Sequence, residues 1–412
     1  MSRILLVVIA ALLGIGLYFL INQTPSVEHD DQLLALVDYR SLDGRDDGLV
    51  IVDVTPGSSQ FGQILQNVPI GNGVLPHHPY FNRDRTKLYN TALGGEFLYR
   101  IDLADNRIKK VVPLETTNCI VGEDLYFSQD QSKFYLTCMG SDRVVVFDAQ
   151  TEKPVDEFRA ARPEAFDQNN STKMPLYDPV SQALLGEIDA PTIPFVRYPH
   201  GIAVNELIDR MIVTETIKPD LSEPGTHVTV IRASTGDLLQ TIPLIQRPGK
   251  PSAPVEVLFH PTRTVAYVTG MMDASIWALV WNSQDGNFIP RLVDSGESRG
   301  ESWPLEPIFG PDGHLYVSWA LPGVVNVYSI ENLIEPKLIR TLPADAGAHH
   351  IDFSPDGKYM FVQNNLLNLD GLNAGTITVV DLDTGEKVGT ITSLLDKDML
   401  PESLVILGAN GH

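Results

Sequence analysis

Two pairs of adjacent histidines, His77-His78 and His349-His350, and a fifth histidine, His200, each precede a short apolar segment that ends in a polar turn. The last apolar residue before each such turn gives a common reference: Phe81, Phe127, Val204, Phe259, Phe309, Phe353 and, near the C-terminus, Ile406. Three and four residues earlier stand His77 and His78, Glu123 and Asp124, His200 and Gly201, Val255 and Glu256, Leu305 and Glu306, His349 and His350, and Glu402 and Ser403. Every pair holds at least one Asp, Glu or His. These types make up 62 of 412 residues, so a random pair would qualify only about one time in four.

If the segments converge, five imidazoles and several carboxylates crowd one axis, where they repel or lose protons unless a cation sits among them. Neutral imidazole suits copper, zinc, nickel and iron, and an imidazole-rich set without thiolate leans to copper. His77, His78, His200, His349 and His350 are therefore the candidate metal ligands. Glu256 is the candidate catalytic base, and Glu123, Asp124, Glu306 and Glu402 are candidates for orienting the imidazole N–H groups. A structural ring of polar groups that hydrogen-bond neighbouring segments is the alternative, and an organic-ligand site a third. Strand alternation opposes a shared direction for His77 and His78, or for His349 and His350, unless the strands are irregular there.

The elements that would position these residues are strands. Segments of β-branched and aromatic residues alternate with Asp, Gly, Asn and Pro turns, and no long stretch keeps a helical apolar period. His349–Val362 followed by Gly375–Val388 reads as strand, turn, strand, loop, strand, turn, strand. The reference residues recur mostly 44 to 55 residues apart, the length of a four-stranded propeller blade. A seventh blade requires both ends of the chain, with Pro401–Gly408 as its inner strand and Leu34–Val68 as its outer ones. The fold expected is an all-β, seven-bladed β-propeller over 32–412, ring-closed between N- and C-terminal strands. Residues 156–197, with a polar run at Asp167–Lys173, read as a long insertion or an eighth, degenerate blade.

Arg3 followed by an uncharged apolar run from Ile4 to Ile21 predicts an N-terminal transmembrane helix at 1–22, an anchor rather than a cleaved signal, with a polar tether at 23–31. The propeller would then lie on the periplasmic or extracellular side of the cell envelope. A formal net charge of −22 disfavours nucleic acid as a partner. Cys119 and Cys138, the only cysteines, exclude a disulfide scaffold or multi-cysteine zinc site and leave open one disulfide or two buried thiols. No Ser-His-Asp arrangement, phosphate-binding glycine loop or dinucleotide fingerprint is present. His260 and His314 in the turns, and His227 in a loop, read as solvated.

Gly48-Leu-Val-Ile-Val-Asp-Val, Gln60-Phe-Gly-Gln-Ile-Leu, His77-His78, Pro254-Val-Glu-Val-Leu-Phe and Gly375–Thr384 resemble, in order and spacing, the selenium-binding protein family, which includes methanethiol oxidases. Phe353-Ser-Pro-Asp-Gly-Lys is also similar to the wider YVTN-type propellers. The resemblance implies a copper-binding, histidine-lined channel and, in oxidase members, conversion of methanethiol, oxygen and water to formaldehyde, hydrogen sulfide and hydrogen peroxide. The family's selenium-associated cysteine falls at Val37 here, and histidines of its pattern fall near Thr117 or Asn118 and at Pro401. The expectation is an anchored propeller with copper or another transition metal in its channel, acting as an oxidoreductase on a small sulfur compound. The alternative is a non-catalytic scaffold or metal carrier that meets a small molecule or protein partner at one face.

Overall fold

The computed structural model describes residues 32–159, 172–177, 184–190 and 195–408. Their strands form seven four-stranded antiparallel sheets and one two-stranded sheet. Blade 1 runs from inner strand Pro76–Phe81 to outer strand Arg107–Pro113, and blade 2 from Gly122–Phe127 to Lys153–Arg159. Blades 3 to 6 begin with inner strands Pro199–Asn205, Pro254–Phe259, Ser302–Phe309 and Ala348–Phe353. In blade 7 the C-terminal strand Met399–Leu407 is innermost and pairs with Leu34–Ser41, whose neighbours are Asp47–Asp53 and Ile64–Gly71. Joining the two ends in one sheet closes the ring without leaving an open sheet edge between first and last blades. The seven-bladed propeller and its closure are as the repeat spacing implies.

The hydrophobic core is divided into radial seams. Leu34, Leu36, Leu49 and Ile51 of blade 7 pack on Leu88, Ile101 and Ile108 of blade 1. Phe361, Ile377 and Val379 of blade 6 pack on Ala35, Val37 and Val50 on the other side of blade 7. Second strands are sandwiched on both faces, so Leu88–Ala92 and Val265–Gly270 are buried throughout and read as continuous apolar or small-residue runs. The polar turn after each inner strand closes on itself: the Ser128 hydroxyl donates to Asp130 at 2.7 Å, and Asp130 Oδ1 accepts from the Ser132 amide.

Cys119 and Cys138 form a disulfide with Cα atoms 5.2 Å apart, tying the loop ahead of the blade 2 inner strand to the end of its second strand. Thr172–Tyr177 and Leu184–Ala190 pair as a hairpin within 156–197, while the blade 2 outer strand takes in Asp156–Arg159.

The expected transmembrane helix is not upheld. The described residues contain only 3-10 turns of three or four residues, and no helix among them is long and apolar enough to cross a membrane. The anchor expected at 1–22 and the tether at 23–31 lie outside the described residues. Membrane attachment and the envelope location inferred from it are therefore withdrawn.

Candidate metal centre in the channel

The ladder between first and second strands breaks at the same place in every blade. In blade 1, Pro76 pairs with Ala92 and Pro79 with Asn90, so His77 and His78 together oppose Thr91 alone. Glu123 and Asp124 likewise oppose Thr137, His200 and Gly201 oppose Thr214, and Val255 and Glu256 oppose Thr269. Leu305 and Glu306 oppose Ser318, and His349 and His350 oppose Gln363. In blade 7 Glu402 is the extra residue between Pro401 and Ser403. Two residues against one is a β-bulge, which re-aims side chains and suspends strict alternation. Both members of each histidine pair therefore reach the channel.

One opposed side chain secures each bulge. The amide N–H of His78 donates to Thr91 Oγ1, Asp124 to Thr137, Gly201 to Thr214, Glu256 to Thr269 and Glu306 to Ser318 Oγ, at 2.8–3.3 Å. The His350 amide donates to Gln363 Oε1 at 3.3 Å. Several hydroxyls then donate to the bulge carbonyl of the next blade: Thr137 to His200, Thr214 to Val255 and Thr269 to Leu305, at 2.6–2.7 Å. A backbone that would otherwise bury unpaired groups is thus satisfied around the ring. Entry into the inner strands is also shared: Leu75, Val121, Tyr198, Ala253 and Trp303, each two residues before its pair, have φ between 46° and 61°. Left-handed backbone costs about 1–2 kcal/mol per non-glycine residue, and such strain is retained where the surrounding structure fixes a functional geometry. Gly201 is required by close approach: a Cβ there would lie 2.6 Å from the Val255 carbonyl oxygen and 2.8 Å from Glu256 Oε2.

All five channel histidines are buried and meet in two groups. Ligand atoms of His78, His349 and His350 lie within 4.8 Å of one another, and so do those of His77, Glu123 and His200. The groups adjoin where the His77 and His78 rings stack at 4.0 Å. In the first group, His350 Nδ1 lies 3.0 Å from Glu306 Oε2 and His78 Nδ1 lies 3.0 Å from the Tyr80 hydroxyl. The Nε2 atoms of His78 and His350 are buried without a hydrogen-bond partner. With Nδ1–H donated to Glu306, His350 Nε2 keeps its lone pair free. In the second group, Glu123 Oε2 lies 3.4 Å from Nε2 of both His77 and His200, and His200 Nδ1 lies 3.0 Å from Glu256 Oε1.

Burial, and next the neighbouring imidazoles, hold His77, His78 and His349 well below the usual histidine range; burial depresses His350 to about 3. These rings are therefore neutral, the form that ligates metal without first losing a proton. Burial pushes the Glu123, Glu306 and Glu402 carboxyls up to about 7, and Asp124 and Glu256 well above the ordinary carboxylate range.

A cavity of about 370 Å³ adjoins this cluster: the five histidines do not line it, but Tyr80, Glu256 and Glu306, which contact His78, His200 and His350, stand in its wall with Asp124, and Leu207 and His260 line it near the strand turns. His260, in its turn, is half-buried and lines this cavity. The other carboxylates do different things. Asp124 Oδ2 accepts the Ile202 amide of the next blade at 2.8 Å. Glu402 Oε1 lies 2.7 Å from Arg40 Nε. Sequence reasoning did not single out Tyr80, Arg40 or Asp38, whose buried carboxylate takes hydrogen bonds from Asn90 and Ser403.

No protein-family model and no curated protein matches the chain. Solved structures do. A hypothetical selenium-binding protein from Sulfolobus tokodaii superposes with a TM-score of 0.62 at 15% identity, covering 92% of this chain and 91% of that one. The periplasmic gluconolactonase of Pseudomonas aeruginosa gives 0.59 at 13% identity over 92% and 99%. Hydrazine synthase from Kuenenia stuttgartiensis gives 0.52 at 14% over 84% and 99%. At these identities the similarity places the chain in the propeller group and carries the fold alone.

Proposed function

We propose that this propeller binds a transition-metal ion, copper, through His78, His349 and His350, and that it oxidises a small sulfur compound of the methanethiol class admitted by the channel cavity. The carrying observation is the pair of buried Nε2 atoms on His78 and His350 that lack hydrogen-bond partners while their Nδ1 atoms contact Tyr80 and Glu306. Metal-bound histidines are oriented in this way, with the second nitrogen held by a carboxylate or other polar partner. An all-imidazole donor set without thiolate suits copper, which would supply one-electron redox chemistry. Around it, this chain's own groups bind and move protons. Glu256 and Glu306 border the cavity, where a carboxyl with a raised proton affinity suits proton exchange with a thiol. Tyr80 fixes the His78 ring and lines the same cavity. The sulfur substrate class is supported by the motif resemblance and by a cavity sized for a small molecule.

The test is copper loading of the metal-free chain followed by electron paramagnetic resonance and an oxygen electrode with methanethiol. Nitrogen hyperfine structure from imidazoles, with oxygen uptake and formaldehyde release, is expected. Bound copper without turnover would reduce the reading to a metal carrier, and no copper binding would overturn it.

A further inference from the structure

The second group of ligand atoms is not needed by the ion just described. His77, Glu123 and His200 share no residue with the His78–His349–His350 set, and each set is complete with three donors. Glu123 is 2% exposed, and its Oε2 atom has no hydrogen-bond partner. A buried carboxylate oxygen costs free energy when it lacks a partner, yet this one lies 3.4 Å from each of two imidazole nitrogens. That spacing has a simple origin. Ligand atoms about 2.1 Å from a tetrahedral ion lie about 3.4 Å from one another, whereas a good N–H to carboxylate hydrogen bond is about 2.7–2.9 Å.

The surroundings fit the same assignment. Glu256 Oε1 lies 3.0 Å from His200 Nδ1, a charge contact without hydrogen-bond geometry, and His200 Nε2 lies on the Glu123 side. His77 is held by its ring stack on His78 at 4.0 Å. The bulge that carries Glu123 is secured by Thr137, whose hydroxyl also binds the His200 carbonyl oxygen at 2.6 Å. One hydroxyl therefore sets the relative positions of two of the three donors.

We infer that the channel is a two-metal centre, with a second divalent ion of the zinc or ferrous type held by His77, Glu123 and His200 beside the all-imidazole site. Two imidazoles and one carboxylate with an open position form a donor set of catalytic zinc and non-haem iron sites, and the carboxylate makes this set harder than the all-imidazole one. The inference rests on the channel being a metal site, as proposed above. It adds a second ion, a different donor chemistry, and an open position on each side of the stacked His77–His78 pair.

The experiment is titration of the metal-free full-length chain with Co²⁺, followed by its visible ligand-field bands, together with elemental analysis of the zinc-reconstituted wild type and of Glu123→Gln and His350→Ala. The expected results are saturation at two equivalents for the wild type and one retained ion in each variant, with different Co²⁺ spectra for the two remaining sites. Saturation of the wild type at one equivalent, with that ion lost from both variants, would overturn the second site while leaving a single channel metal. No bound ion in the wild type would remove both readings. If either variant fails to fold, the wild-type titration decides alone, because one equivalent against two does not depend on them.

Discussion

Thr214→Val tests the device that aims the channel side chains. In blade 3 the Gly201 amide donates to Thr214 Oγ1 at 2.8 Å, and that hydroxyl donates to the Val255 carbonyl of blade 4 at 2.7 Å. Thr214 is 1% exposed, so water cannot replace it. Valine keeps the shape and β-branching but removes both bonds, leaving one N–H and one C=O buried without partners. Each orphaned group costs about 1–3 kcal/mol. The methyl that replaces the hydroxyl recovers up to about 1 kcal/mol, so the expected loss is about 1–5 kcal/mol. Urea denaturation followed by tryptophan fluorescence should show a lower midpoint at unchanged slope, and Thr262→Val, on an exposed turn, should stay within about 0.5 kcal/mol of wild type. Metal occupancy of the His77–Glu123–His200 group should also fall, because Thr214 secures the bulge that carries His200, and Val255 precedes Glu256, whose carboxylate lies against His200. A Thr214→Val protein as stable as wild type would show that the bulges hold without their hydroxyls and would refute this account of how the site is positioned.

Glu306→Gln keeps the side-chain shape against His350 but removes its charge, and copper affinity measured by chelator competition should fall about 10- to 100-fold; Glu402→Gln, whose carboxylate pairs with Arg40, should leave it unchanged. Gly201→Ala places a Cβ 2.6 Å from the Val255 oxygen, and thermal unfolding should register a loss of about 1–3 kcal/mol, as overpacking costs, with reduced metal content. Burial raises the Asp273 carboxyl to about 6, above its unfolded value, so the folded state binds this proton more tightly. Its stabilising effect is full at low pH and is lost as pH rises from about 4 to about 6. Asp273→Asn should therefore gain on wild type across that window by up to about 3 kcal/mol; a gap that does not change between pH 4 and pH 8 would contradict it.

The blades, their period and the channel positions were legible in sequence because the apolar residue before each turn marks a fixed place on the inner strand. What strict alternation obscured was the shared direction of His77 and His78, and the resolving signal was also in the sequence. Thr91, Thr137, Thr214, Thr269 and Gln363 each follow the second member of their pair by 13 residues, and Ser318 follows Glu306 by 12. A hydroxyl or amide at that offset marks a bulge rather than a regular ladder. The division of five histidines into two groups was not legible, since it depends on ring orientation across blades. Nor was the pairing of Asp38 with Ser403, which lie 365 residues apart and meet only because the terminal strands share a sheet. The apolar run at Ile4–Ile21 drew an inference from hydropathy alone, and the described residues offer no membrane-crossing helix to support it.

The most direct test of the channel as a metal centre is a crystal of the copper-soaked protein measured on both sides of the copper absorption edge. The account predicts an anomalous peak about 2.0–2.3 Å from His78 Nε2 and His350 Nε2, with His349 in contact. A channel without such a peak, in which those two nitrogens bond ordered water, would contradict it.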